Sequence, residues 1–137
     1  NGVEADFGPL RTEKDAIRLP NGLRLAYTKL RQEGRSYAYW NGKSWLGIYG
    51  GKLAENITQA LSRIIMTDAM LLVDRELRGV SRIALTVHDE LIQVAHKDQA
   101  QAVFDRTLAI MSTGRDWYRD IPLGAEGKIA ANYAEAK

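Results

Sequence analysis

The chain has 137 residues, of which 45% are hydrophobic and 26% are charged, and a net charge of +2. This is the composition of an ordinary globular protein long enough to bury one core, and the absence of cysteine excludes disulfide bonds and thiolate metal ligands. No apolar run approaches the roughly 18 residues of a membrane span, and the N-terminus lacks the form of a signal peptide. We therefore expect one cytoplasmic domain without a membrane partner.

The order of the predicted elements along the chain indicates an α+β fold. Residues 1–16 are predicted to be irregular, because they contain glycine and proline and show no periodic pattern. Since the sequence begins with Asn1 and not with Met, we also expect a fragment or a processed product. Residues 17–137 are predicted to contain hairpins at 17–19 with 23–27 and at 37–40 with 45–49, a helix at 52–78, strands at 82–87 and 91–95, a helix at 97–112 and a short strand near 126–130.

Positive charge is concentrated in the predicted hairpin region. Between Arg11 and Lys52 there are nine Lys and Arg against three Asp and Glu, whereas from Leu53 onward ten basic residues meet twelve acidic ones. Between Arg18 and Tyr27 basic residues alternate with apolar ones, which gives a strand one apolar and one positive face. Such a face suits a polyanion such as nucleic acid, although a solvated sheet face is the commoner meaning of a basic patch.

The predicted helix 52–78 contains no glycine or proline and is apolar around most of its circumference, as expected of a buried central element. A narrow polar stripe interrupts its first half, with successive steps of four, three and four residues. Amide and guanidinium groups of this kind suit base edges and sugar–phosphate oxygens, but most polar stripes on helices only face water. The stripe consists of Lys52, Asn56, Gln59 and Arg63.

Three ionisable residues, His88, Asp89 and Glu90, separate the two predicted strands 82–87 and 91–95. The turn therefore lacks the usual Asn-Gly or Asp-Gly chemistry of a hairpin. Two adjacent carboxylates repel each other, and the apolar strands beside them are expected to hold them near a low-dielectric wall. This arrangement lowers the stability of the fold unless a divalent cation binds there. These residues alone leave a metal site and an exposed acidic turn equally open.

Together these features resemble the C-terminal palm portion of family A DNA polymerases, closest in style to bacteriophage members. The match extends over residues 17–137, and the His-Asp-Glu triplet looks like motif C of that family in the required strand–turn–strand context. Four stretches carry it: Leu-Pro-Asn-Gly at 19–22, Tyr-Gly-Gly-Lys-Leu-Ala-Glu-Asn-Ile-Thr-Gln-Ala at 49–60 with Arg63, Val-His-Asp-Glu at 87–90, and Pro-Leu-Gly-Ala-Glu-Gly at 122–127.

The resemblance implies a DNA-directed DNA polymerase that performs two-metal nucleotidyl transfer in DNA replication. A carboxylate at the position of Asp89 bridges two Mg²⁺ ions in this family, together with an aspartate from an upstream motif A, and Glu90 supports that site. Two cations roughly 3.5–4 Å apart stabilise the attacking and leaving oxygens of an in-line displacement. His88 and Gln59 match positions that face the primer terminus and the minor groove, and Asn56 and Arg63 are expected to share that role.

Several segments that the family pattern requires are absent from this sequence. Motif A, with its aspartate, is absent, as are the fingers helix that binds the dNTP, the thumb and the exonuclease segment. The resemblance therefore implies half of a catalytic centre, which is inactive alone and needs the missing upstream polymerase segment, primer–template DNA and dNTP. We expect a palm-like antiparallel sheet backed by two long helices, from a phage or prophage in a bacterial host.

Two other functions remain open. The chain is alternatively a metal-dependent hydrolase that combines Asp89 and Glu90 with another acid such as Asp68, although the spacing offers no convincing third ligand. It is alternatively a non-catalytic DNA-binding or structural remnant of a polymerase palm. The coding sequence upstream of this segment distinguishes the remnant from a working fragment, because only the latter requires motif A and the fingers helix (motif B).

Overall fold

The structure, a computed structural model, describes residues 4–136 and divides into two compact units. Within the described residues the first unit ends at Ile64 and the second begins at Ile65. Two compact units do not amount to two independent domains, so the expectation of one domain stays a prediction. Each strand pair joins strands that are consecutive in the sequence, and each pair lies within one unit.

The first unit contains two antiparallel sheets, and every strand in them pairs with its neighbour in sequence. Four strands form one sheet in the order β1 (Ala5–Phe7), β2 (Leu10–Glu13), β3 (Ala16–Arg18) and β4 (Arg24–Ala26). Three strands form the other sheet in the order β5 (Arg31–Glu33), β6 (Ser36–Trp40) and β7 (Trp45–Ile48). The predicted hairpins 17–19 with 23–27 and 37–40 with 45–49 are thus confirmed as β3–β4 and β6–β7.

The prediction that residues 1–16 are irregular is wrong for the part that the structure describes, and residues 1–3 lie outside it. Phe7 pairs with Leu10, so Gly8 and Pro9 form a two-residue hairpin loop instead of breaking the chain. Gly8 has a φ of +58°, a conformation that glycine adopts without a side-chain clash. The strands were missed because three or four residues are too few to show alternation.

Local side-chain chemistry explains the β6–β7 hairpin. Asn41 Oδ1 accepts hydrogen bonds from the backbone N–H groups of Lys43 and Ser44, each at 2.8 Å. Gly42 supplies a φ of +97° inside the same turn. An asparagine that binds the backbone just after it, followed by glycine, closes a turn before any tertiary contact forms.

The long predicted helix is confirmed as α1 (Gly50–Glu76), which begins in the first unit and ends in the second. The second unit adds the antiparallel pair β8 (Ser81–Val87) and β9 (Glu90–Ala95) and the helix α2 (Ala100–Met111), which a short 3-10 turn at Lys97–Gln99 precedes. These elements confirm the predicted strands and the second helix. A short helix, α3 (Tyr133–Ala136), follows near the end of the described chain.

The strand predicted near residues 126–130 is wrong, because this segment has no regular structure. The backbone at Gly127 lies directly against the ring of Phe104 on α2, since a Cβ built there would be 3.0 Å from Phe104 Cε2. The segment therefore packs on a helix and does not pair with a strand edge.

The core of the second unit lies between the second half of α1, α2 and one face of the β8–β9 pair. Ala69, Val73 and Ile110 form its buried centre, and Ile83 and Leu91 of the strands pack against them. This arrangement confirms an α+β fold with antiparallel sheets and helices. In the described residues, no helix is both long and apolar enough to cross a membrane.

Candidate functional site

The β8–β9 hairpin places the His-Asp-Glu triplet at its tip. Val87 pairs with Glu90, so His88 and Asp89 form a two-residue loop. His88 has a φ of +52°, and both turn types favoured in two-residue hairpins require a positive φ at the first loop position. The hairpin geometry therefore accounts for the positive φ of His88, and Asp15, Lys29 and Asp116 adopt the same conformation elsewhere in the described chain.

The two carboxylates at this tip are exposed, which corrects the expectation of a low-dielectric wall beside them. Ile83 and Leu91 of the strands pack against the core of the second unit, whereas the residues at the tip are exposed. Among residues 4–136, neither Asp89 nor Glu90 has a hydrogen-bond or ion-pair partner, so their oxygens remain available as ligands. Oxygen donors of this kind suit Mg²⁺, which accepts one or two carboxylates and completes its shell with water and phosphate.

A complete metal centre is not present in the described part of the chain, because no three His, Asp or Glu residues there are close enough to hold an ion. Asp68, the third ligand of the hydrolase alternative, accepts a hydrogen bond from the Tyr118 hydroxyl at 3.4 Å. The Tyr118 side chain is buried, and burial raises the pKa of its phenol. Asp68 is thus part of the packing around Tyr118 and does not join Asp89 and Glu90 in a ligand group.

The polar stripe on α1 belongs to the first unit, and protein contacts engage its members. The half-buried Asn56 donates from Nδ2 to the Tyr27 hydroxyl at 3.1 Å. Gln59 Nε2 donates to Glu55 Oε1 at 3.2 Å, and Lys52 also binds the Glu55 carboxylate. Arg63 is exposed, and it also takes part in an interaction with the rest of the chain. Of these contacts, only the one made by Asn56 is partly buried.

The predicted site residues are divided between the two units. Asn56, Gln59 and Arg63 share the first half of α1, whereas His88 to Glu90 lie together on one turn of the second unit. Tyr27 and Glu55 also belong to this arrangement, although neither is among the residues predicted from the sequence. Glu55 could have been found from its spacing of three and four residues to Lys52 and Gln59, which brings helical side chains into contact. Tyr27 gave no local signal, because it is 29 residues from Asn56.

The positive sheet face predicted around Arg18 exists, but carboxylates neutralise part of it. Arg11, Arg18 and Arg24 occupy one cross-strand row through β2, β3 and β4. Glu13 binds Arg18 at 2.5 Å and Arg24 at 2.8 Å, and the hydrogen bond from Arg18 is the main reason that the pKa of Glu13 lies below its ordinary value. Like charges opposite each other destabilise a sheet, so Glu13 compensates for the arginine row.

Comparison with known proteins adds one relative. The chain is 31% identical over 128 residues to the DNA polymerase of Bacillus phage SP02. The alignment covers 85% of this chain and 19% of the phage protein, so the chain spans about a fifth of the length of that relative. No protein-family model matches the chain, and no solved structure matches it.

Proposed function

We propose that the chain is the C-terminal palm portion of a family A DNA polymerase, with motif C at Val87 to Glu90. The observation that carries the proposal is the triplet at the tip of a two-residue hairpin, where His88 has a positive φ and two carboxylates are exposed without partners. The similarity to a phage DNA polymerase supports the same assignment. In this proposal residues 17–137 are palm, and the fragment acts in a bacterial host cell.

Asp89 has the central role in the proposed chemistry, and Glu90 supports it. Mg²⁺ bound at this turn would activate the primer hydroxyl and neutralise the charge of the dNTP phosphates. The strands β8 and β9 place Asp89 at the exposed tip of the hairpin, where its carboxylate is accessible to a metal ion and to substrate. Because the described residues supply only this pair of adjacent acids, a second aspartate must come from the missing upstream polymerase segment.

The hairpin has a surface that such a segment could cover. One face of the β8–β9 pair packs on the helices, but the opposite face exposes Leu85 and Val94, which are 44% and 52% exposed. Within the described residues, β8 and β9 pair only with each other, and two-stranded sheets are marginally stable in water. Addition of a segment carrying motif A would bury this face and would supply the second aspartate that Asp89 needs to hold the metal ions.

The first unit supplies the proposed contacts to primer–template DNA. Its described residues include ten Lys and Arg against six Asp and Glu, a net charge of +4. Asn56, Gln59 and Arg63 are the proposed contacts to the duplex, and His88 of the second unit is the proposed contact to the primer end. Phosphate contacts give affinity without sequence preference, so binding should weaken as salt rises.

The test is reconstitution with the upstream half of the polymerase. Alone, the chain should incorporate no nucleotide on a primed template, whereas the reconstituted enzyme should extend the primer when Mg²⁺ is present. Asp89→Asn should reduce the rate by several orders of magnitude, where each factor of ten is about 1.4 kcal/mol. Asp98→Asn, which changes another exposed acid of the second unit, should leave extension intact. Near-normal extension by the Asp89→Asn enzyme would refute the motif C assignment.

A second candidate is a non-catalytic DNA-binding or structural remnant, which the incomplete ligand group in residues 4–136 favours. The same reconstitution separates the two functions. A remnant would bind duplex DNA but would not extend a primer with any upstream segment, and Asp89→Asn would change nothing that can be measured.

A further inference from the structure

Glu55 lies on the polar stripe of α1 between Lys52 and Gln59, and its carboxylate engages both. Lys52 Nζ donates to Oε1 at 2.9 Å and to Oε2 at 3.0 Å, while Gln59 Nε2 donates to Oε1 at 3.2 Å. The hydrogen bond and the charge of Glu55 raise the pKa of the Lys52 ammonium above its ordinary value. One acidic group therefore occupies two of the donors on a surface that the proposed function directs toward DNA.

This group of three residues is open to solvent and to macromolecules. The side chains of Lys52 and Glu55 are 46% and 49% exposed, and Gln59 is also exposed. Exposed ion pairs of this kind are weak, because water and salt screen them. Another anion could therefore replace Glu55 without disturbing the helix.

We propose that Lys52 and Gln59 form a subsite for one backbone phosphate of nucleic acid, and that Glu55 occupies it as an internal substitute for the phosphate. The inference rests on the proposed function, because it requires this face of α1 to meet nucleic acid. Like the carboxylate, a phosphodiester presents two acceptor oxygens that share one negative charge. The same ammonium and amide donors therefore satisfy either group.

Exchange of the two anions has a measurable consequence. When a phosphate takes the donors, Glu55 loses its partners and lies beside a like charge, so it opposes binding. When Lys52 neutralises a phosphate, the DNA releases a condensed cation, but the displaced Glu55 carboxylate attracts a cation from solution, so the net release in the wild-type chain is small. Each phosphate that a free cation neutralises adds about 0.9 to the slope of log K against log salt on duplex DNA, so removal of Glu55 should make the slope steeper.

The experiment titrates a fluorescein-labelled DNA duplex of mixed sequence with the 137-residue chain at a series of NaCl concentrations. Glu55→Gln should tighten binding several-fold at low salt and steepen the salt dependence by close to one phosphate contact. The matched control is Glu33→Gln, which adds the same charge to the first unit. Glu33 pairs with Arg31 on β5, and its side chain is 50% exposed, nearly the same as Glu55. The control should change the slope much less than Glu55→Gln.

A second pair of variants tests whether Lys52 is the cation that Glu55 restrains. Lys52→Met should weaken binding by the wild-type chain, because it leaves the Glu55 carboxylate without its cation on the DNA-facing surface. In the Glu55→Gln chain, Lys52→Met should abolish the gain, so that the double variant binds no more tightly than the wild type. Equal effects of Glu55→Gln and Glu33→Gln on DNA binding would overturn the inference, because binding would then depend only on the net charge of the chain. Normal DNA binding with an unchanged slope in Glu55→Gln would overturn it as well. If the wild-type chain and every variant fail to bind duplex DNA at low salt, the proposed function itself fails, and this inference fails with it.

Discussion

Asn56 on α1 donates a hydrogen bond to the hydroxyl of Tyr27, which lies 29 residues earlier in the chain and just beyond β4. Tyr27 is only 6% exposed, and its ring meets the edge of the Tyr39 ring at a centroid distance of 5.2 Å. A residue proposed to contact DNA is thus fixed by a buried tyrosine. Its amide is oriented by the sheet side of the first unit and not only by its own helix.

The first prediction concerns this hydrogen bond. Tyr27→Phe should lower the free energy of unfolding by about 0.5–1.5 kcal/mol, because the amide of the half-buried Asn56 loses its partner. Urea unfolding measures the change, and Tyr37→Phe is the control because Tyr37 is 46% exposed. Equal stability of the Tyr27→Phe and Tyr37→Phe chains would show that the contact contributes nothing.

The second prediction concerns the role of Gln59 in using primer–template DNA. Gln59→Ala should raise the KM of the reconstituted enzyme for DNA several-fold, while the free energy of unfolding changes by less than about 0.5 kcal/mol because the side chain is exposed. The matched control is Gln101→Ala on α2, since Gln101 is also exposed and binds an acid four residues away, at 2.8 Å. If both variants use DNA as well as the wild type does, the stripe is only a solvent face.

The third prediction compares two apolar residues of the second unit. Ile110 is 1% exposed at the centre of the core, so Ile110→Ala should destabilise the chain by about 2–5 kcal/mol. Leu71 on α1 is 61% exposed, and Leu71→Ala should cost less than about 0.5 kcal/mol. Denaturant unfolding of both variants checks the assignment of the core, which would be wrong if Leu71→Ala were the more damaging change.

The fourth prediction is an acid-side loss of stability that depends on Glu13. The hydrogen bond from Arg18 and the charges of nearby arginines hold the pKa of Glu13 below its ordinary value. The resulting stabilisation is complete above the unfolded pKa of about 4.3 and is lost as pH falls through the lower folded pKa. Glu13→Gln should therefore be less stable than the wild type near neutral pH, and the gap should close in acid. The test is to measure the free energy of unfolding of both chains across this pH range. A difference between them that does not depend on pH would contradict the prediction.

The fifth prediction is a loss of stability in alkali that depends on Tyr118. Burial raises the pKa of its phenol, and the Asp68 carboxylate adds to the effect. Because the folded pKa is the higher one, the contribution is intact below the unfolded pKa of about 10 and falls as pH rises through the folded value. Tyr118→Phe should remove this part of the alkaline decline in unfolding free energy, whereas the control Tyr37→Phe should retain it. An alkaline decline that is the same in both variants would contradict the prediction.

The sequence by itself determined the elements that depend on local chemistry. Asn41 and Gly42 close their turn through backbone bonds within three residues, and an uninterrupted run between glycines is sufficient for α1. The turn at His88 was also readable, because two β-type runs flank three ionisable residues. These features required no information about distant parts of the chain.

Only the tertiary structure decided which polar side chains form hydrogen bonds within the protein and which remain available to a ligand. Asn56 is bound to Tyr27 and Asp68 to Tyr118, across 29 and 50 residues respectively, and no spacing rule in the sequence reports such pairs. Tertiary packing also placed residues 126–130 on α2 and directed Ile83 to the core while Leu85 remained exposed. The physical reason is that turns and helices form from contacts within a few residues, whereas burial and long-range hydrogen bonds depend on which segments meet after the chain has folded.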